Sequence, residues 1–122
     1  MISEQDAERF ADEWIKAWND HDIDAIMTHY DDDVEYYSPI ITLTTGDASG
    51  MLRGEAAVRD YLAAGLERNS GLHFKLLRVF RGIGSVTLYY ISVGNRLAAE
   101  VFELSPGGRA TRVLCHYDEL SS

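Results

Sequence analysis

Hydrophobic positions near the start of the chain recur at helical spacing. Phe10, Ala11, Trp14 and Trp18 share one face of a helix that begins at Ser3 and runs to about Asn19. Ser3 with Asp6 opens it in the manner of a capping box, with Asp in place of the usual Glu. Two indoles on one face require that face to be covered. His21-Asp22 breaks the pattern, and Asp22 caps a short second helix whose Ile23, Ile26, Met27 and Tyr30 keep the i, i+3, i+4, i+7 stripe. Asp31-Asp32-Asp33 is too polar for an element interior, so the first strand is read from Val34 to Ser38, stopped or bent by Pro39. Ile40 to Gly54 mixes β-branched residues with the turn cluster Gly46-Asp47-Ala48-Ser49-Gly50 and reads as a loop or irregular hairpin. A third helix spans Glu55 to about Arg68, with Val58, Tyr61, Leu62 and Gly65 inward, and ends at Asn69 to Gly71.

Beyond Gly71 the period changes to that of strands: Leu72 to Arg81, Ser85 to Val93, Arg96 to Leu104 and Arg109 to Asp118. Gly82-Ile83-Gly84, Gly94-Asn95 and Ser105-Pro106-Gly107-Gly108 separate them with hairpin chemistry, which predicts a strongly curved antiparallel meander. Helices first and strands afterwards define an α+β fold, a curved antiparallel sheet wrapped around N-terminal helices. A chain of 122 residues falls within the size of one domain, and the expectation is a single domain over residues 1–122.

A net charge of −9 argues against nucleic acid or an anionic membrane as partner, since either needs a positive field at the contact. Arg53, Arg59 and Arg68 are interspersed with Glu55, Asp60 and Glu67, so no basic patch forms. The start Met1 to Asp6 has neither the basic opening nor the apolar run of a signal peptide, no stretch is long enough for a membrane span, and the expected location is cytoplasmic. The lone Cys115 excludes an intrachain disulfide and reads as a small buried apolar residue.

Candidate chemistry centres on Glu100. It is flanked by Ala98, Ala99, Val101 and Phe102, which favours burial, and a buried unpaired carboxylate raises its pKa toward a protonated or switchable state. The bland alternative is a structural acid hydrogen-bonded to Tyr36, Tyr90 or Tyr117. On the last strand Val113, Cys115 and Tyr117 form the more apolar set and are placed toward the interior, which leaves His116 and Asp118 outward unless a bulge reverses the parity. Trp14 and Trp18 read as pocket walls or as plain core. No metal site is expected: no two histidines fall at i, i+2 or i, i+4, and Asp31-Asp32-Asp33 lacks the alternation and glycine of a calcium loop. Gly82-Ile83-Gly84 lacks the third glycine of a dinucleotide site, and nothing calls for a cofactor.

Several segments together resemble the nuclear transport factor 2-like superfamily, and within it SnoaL-like and ketosteroid isomerase-like proteins. They are Ala17-Trp18-Asn19-Asp20-His21-Asp22-Ile23-Asp24-Ala25-Ile26, Tyr30 to Val34, Ser38-Pro39, Arg53 to Arg59, Glu100 to Leu104 and Gly107-Gly108-Arg109. The resemblance implies a cone with an internal pocket. Ketosteroid isomerases hold a tyrosine on the first helix, a base aspartate just before the proline of the first strand, and a protonated aspartate on a late strand. Trp14, Ser38 and Glu100 take those places here, so only the third keeps an acid. Polyketide cyclases of the SnoaL type place an acid on the last strand, where this chain offers only the outward His116 and Asp118.

The expected function is therefore that of a small-molecule pocket protein for a compact apolar ligand with a carbonyl or phenol. As an enzyme it would use Glu100 as proton donor or base next to a carbonyl, in an isomerisation or ring closure. Trp14, Tyr36 and Tyr117 would orient the ligand, and Trp18, Ser38, Phe102 and Cys115 would line the pocket. The alternative is a non-catalytic ligand-binding or dimerisation module on the same fold. The pairs Tyr36-Tyr37 and Tyr89-Tyr90 put aromatic rings on both faces of the sheet, and an outer face carrying Tyr37, Tyr89, Leu77 and Ile91 predicts a homodimer through the sheets.

Overall fold

A computed structural model describes residues 1–120 of the chain. Helix α1 spans Glu4–Asn19, with the Ser3 hydroxyl accepting from the Asp6 N–H at 3.1 Å. Its stripe Ala7, Phe10, Ala11, Trp14, Ala17 and Trp18 is buried, and each indole removed from water contributes roughly 2–3 kcal/mol. Helix α2, Ile23–Met27, is capped by Asp22 as expected. At the joint between them, His21 adopts φ +55° and its Nε2 lies 2.8 Å from the Leu72 carbonyl.

Two segments differ from the sequence expectation. Strand β1 covers Tyr30–Tyr37 and so includes the three aspartates. Asp32 and Asp33 are exposed where the register against the neighbouring strand shifts between Tyr30 and Glu35, so extended backbone there imposes no apolar face. The supposed loop from Ile40 to Gly54 holds helix α3, Pro39–Thr45, and strand β2, Met51–Arg53. Ser38 caps α3, Pro39 occupies its first turn, and Gly46 ends it in the left-handed region at φ 79°. The threonines that argue against a helix are accommodated by back-bonding: Thr44 Oγ1 donates to the Ile40 carbonyl and Thr45 Oγ1 to that of Ile41.

Helix α4, Glu55–Arg68, has the expected bounds and buries Val58 and Leu62 as expected, together with Leu66, while Tyr61 and Gly65 are half-buried. The remaining strands are β3 Lys75–Arg81, β4 Ser85–Ile91, β5 Leu97–Leu104 and β6 Ala110–Tyr117. All six strands form one open sheet in the order β2-β1-β6-β5-β4-β3. The three pairs of the β3 to β6 meander are antiparallel as predicted, and β1–β2 is antiparallel too, but β1 runs parallel to β6, so the sheet is mixed. Register shifts in β1–β6, β3–β4 and β5–β6 bend it around the helices.

Helix α1 crosses the inner face, where Phe74 stacks on Trp14 with ring centroids 5.8 Å apart. Asn19, at the end of α1, clamps Phe74 from both sides. Its Nδ2 donates to the Phe74 carbonyl at 2.9 Å and its Oδ1 accepts the Phe74 N–H at 2.6 Å. One polar side chain thereby satisfies a strand-entry backbone that no neighbouring strand reaches.

Candidate functional site

Glu100 lies in the middle of β5, opposite Leu88 on β4 and Cys115 on β6, with Ala98 and Phe102 beside it on the inner face. It is 2% exposed. Strand alternation places it there: turning an acid outward at this position would also expose Phe102. Tyr90 of β4 donates to Oε1 at 2.7 Å, while Oε2 is buried without a partner. Burial pushes the carboxyl up from 4.5 to about 7, held back by the Tyr90 hydroxyl and the Cys115 thiol across the strand.

The phenols around it are buried too. Tyr30, Tyr36 and Tyr90 titrate well above the ordinary tyrosine value, through burial first and then the neighbouring acidic groups. Burial likewise raises the Cys115 thiol, so it is a neutral group and no nucleophile. Tyr117, half-buried, closes the same side of the interior, and its hydroxyl is also shifted upward by burial.

Trp14 and Trp18 divide their roles differently from the expectation. The Trp14 N–H is spent on the Tyr30 hydroxyl at 3.0 Å, whereas the Trp18 N–H is buried without a partner. Both indoles join Phe74, Tyr90 and Phe102 in a cluster with centroids 4.9–5.8 Å apart. Ser38, 3% exposed, accepts the Ile40 N–H at 3.2 Å as the cap of α3, so its oxygen already has a structural task. The parity of β6 is the expected one through its C-terminal half: Val113 and Cys115 are buried, and His116 and Asp118 are exposed. Asp118 accepts the Leu97 N–H at 3.0 Å, which gives it a capping role.

The structure thus brings together Glu100, Phe102, Tyr36 and Cys115 with Tyr90, one of the expected hydrogen-bond partners for a structural acid, and adds Tyr30. The parity of β4, with Val86, Leu88 and Tyr90 inward, carried a signal for Tyr90; Tyr30 was hidden by its assignment to the α2 stripe. One surface cleft of about 780 Å³ lies between the first half of α1, His29 and the β5–β6 turn. Another of about 230 Å³ is lined by Ser38 and Cys115 together with Tyr37 and His116. Neither includes Glu100, Trp14 or Trp18 in its wall. Cavity size therefore points away from Glu100 and chemistry points to it. A buried carboxyl with one empty oxygen costs free energy whatever the free volume beside it. Among the described residues no three His, Cys, Asp or Glu side chains converge as a metal site, and no helix is long and apolar enough to cross a membrane.

Helices packed in the concavity of an open, bent sheet, with an acid buried among phenols, define an α+β fold of the nuclear transport factor 2-like type. The chain belongs to the SnoaL-like domain family, whose sequence profile matches residues 11–117. A SnoaL-like protein of unknown function from Burkholderia thailandensis E264 is 41% identical and superposes with a TM-score of 0.94 over 97% of this chain and 98% of its own. At 19% identity, the epoxide hydrolase/cyclase-like enzyme SalBIII, of pyran ring formation in the polyether salinomycin, shares the fold with a TM-score of 0.75 over 96% and 94% of the two chains. A SnoaL-like family protein from Agrobacterium tumefaciens C58, described as a candidate isomerase, does so at 14% identity, TM-score 0.74, over 94% and 99%. No curated protein shows significant sequence similarity to the chain.

Proposed function

We propose that this protein takes a compact apolar small molecule into its interior and moves a proton next to a carbonyl through Glu100. The observation that carries this reading is the state of that side chain: fully buried, one oxygen held by Tyr90, the other empty, and poised near pH 7. A carboxylate at that poise takes a proton from carbon adjacent to a carbonyl and returns it to another carbon, leaving the enzyme unchanged. The Trp18 N–H, buried without a partner, would be the donor for a ligand oxygen, and Tyr36 and Tyr117 would flank the ligand. Isomerase and cyclase activities ascribed to proteins of this fold are of the same kind, which supports the general class and not the substrate.

The test is quenching of tryptophan fluorescence by planar phenols, which mimic an enolate, in the parent protein and in Glu100→Gln across pH. Saturable, pH-dependent quenching that the variant loses supports the proposal; no saturable response in either protein refutes it. A second reading rests on the packed rings of Trp14, Trp18, Phe74, Tyr90 and Phe102, which fill much of the interior. On that reading the chain is a non-catalytic binding or dimerisation module. Either way the outer face bears the rows Thr87, Val101, Leu114, Tyr37 and Tyr89, Ala99, His116, and this half-covered, largely apolar surface fits a second copy of the chain.

A further inference from the structure

The cleft of about 780 Å³ lies apart from Glu100, and its size is that of small-molecule sites. Ile2, Phe10 and Leu104 supply apolar wall, and His29 and Glu13 lie next to each other in it. His29 is a fixed group rather than a surface one. Its side chain is 10% exposed, its ring meets Phe10 edge to face at 5.2 Å, and its carbonyl accepts the Ala110 N–H at 2.7 Å.

The tautomer follows from the partners of Nδ1. That nitrogen lies 3.3 Å from the Ile26 carbonyl, which only accepts. It also lies 3.5 Å from Thr28 Oγ1, whose own proton goes to the Ala25 carbonyl. Nδ1 therefore carries the proton of the neutral ring, and Nε2 presents a lone pair. Nε2 stands 3.6 Å from Glu13 Oε2, beyond hydrogen-bond range. Two acceptors thus converge on one point of the cleft with no donor between them. Neither nearby arginine reaches between the two: Arg9 pairs with Asp6 at 3.1 Å, and Arg109 donates to the Tyr30 carbonyl. A hydroxyl entering between the two would find an acceptor on either side for its one proton.

From this geometry we infer that the cleft is a second binding site, distinct from Glu100, for an uncharged alcohol whose hydroxyl enters between His29 and Glu13 while its apolar body lies on Phe10, Ile2 and Leu104. The probes are benzyl alcohol and benzyl fluoride, which are close in size and apolar surface and differ in the donor. Long-range proton–nitrogen NMR of the imidazole, at a pH where the ring is observed neutral, reads Nε2 directly. Backbone amides of Gly84 and Gly107 report occupancy. The alcohol should shift Nε2 and both amides saturably, with affinity about fivefold above the fluoride, the factor set by one hydrogen bond of about 1 kcal/mol. Glu13→Gln, at an exposed helix position, supplies its own N–H to Nε2 and should abolish the preference for the alcohol without disturbing the fold. Equal affinity of the two probes, an unmoved Nε2, or an undiminished preference in Glu13→Gln would each overturn the inference.

Discussion

Replacing Glu100 by Gln should make the protein more stable, by an amount that grows with pH. The folded carboxyl holds its proton up to about pH 7, while in the unfolded chain it releases it near 4.5. Because the folded-state value is raised, the contribution of this group to stability is fully present below 4.5, is lost as pH rises toward 7, and stays lost above. The interval between those two values, at 1.36 kcal/mol per tenfold change in proton affinity, amounts to about 3 kcal/mol. At 2% exposure no solvent screening reduces it. Gln is isosteric with the protonated acid, and its carbonyl still accepts from Tyr90, so the two proteins should be nearly equal at low pH. All other ionisable groups are common to both and cancel in the difference. Paired urea unfolding curves from about pH 5 to about pH 8 should show the variant pulling ahead by roughly 2–3 kcal/mol, or about 10 °C in melting temperature at the upper end. A difference that stays constant within about 0.5 kcal/mol across that range would refute the raised proton affinity, and with it the poise on which the proton-transfer proposal rests.

Three further outcomes are expected. Tyr90→Phe removes the hydroxyl that holds the Glu100 proton affinity down, so the carboxyl midpoint followed by carbon NMR should move above about 7 and stability should fall by about 1–2 kcal/mol; an unchanged midpoint would contradict the 2.7 Å bond. Asn19→Ala frees both Phe74 backbone groups and should cost about 1–3 kcal/mol in chemical denaturation, with amide exchange accelerated first at Phe74. Sedimentation should show a dimer that Leu114→Lys converts to monomer with its fold intact, as judged by circular dichroism; a monomeric parent would remove the sheet-face proposal.

Local order was legible where one period governed a segment. The α1 stripe, the Asp22 cap, α4 and the four C-terminal strands follow from spacing, because helix and strand each dictate which side chains can be buried together. Pairing across long distances was not legible. Nothing in the alternation of Val34, Tyr36 and Ser38 names Val113 as the partner of Tyr36, nor the parallel direction of that pair. The missed helix α3 illustrates a different conflict. Ser38-Pro39 and Gly46 are proper start and stop signals, yet the intervening β-branched residues outweigh them when propensity is read alone. The backbone carbonyls that take the threonine hydroxyls become visible only once the turn is formed.

The candidate site divides along the same line. Glu100 and the inward set of β6 could be found because a single acid in an apolar alternation must be buried with its neighbours and given a partner there, whether for structure or for chemistry. Which indole would be free could not be found, since Trp14 and Trp18 are equivalent in spacing and are distinguished only by Tyr30, sixteen positions beyond Trp14 and on another element. That distinction carries chemical weight. With the Trp14 N–H spent on Tyr30, the buried side-chain polar atoms without a partner among the described residues are the Trp18 N–H and Glu100 Oε2, one donor and one acid. A ligand that satisfies both must offer an acceptor oxygen to the indole and an exchangeable or acidic proton to the carboxylate. A carbonyl compound with an acidic neighbouring C–H meets both demands, whereas a hydrocarbon leaves both atoms unsatisfied, at a cost of about 1–3 kcal/mol each.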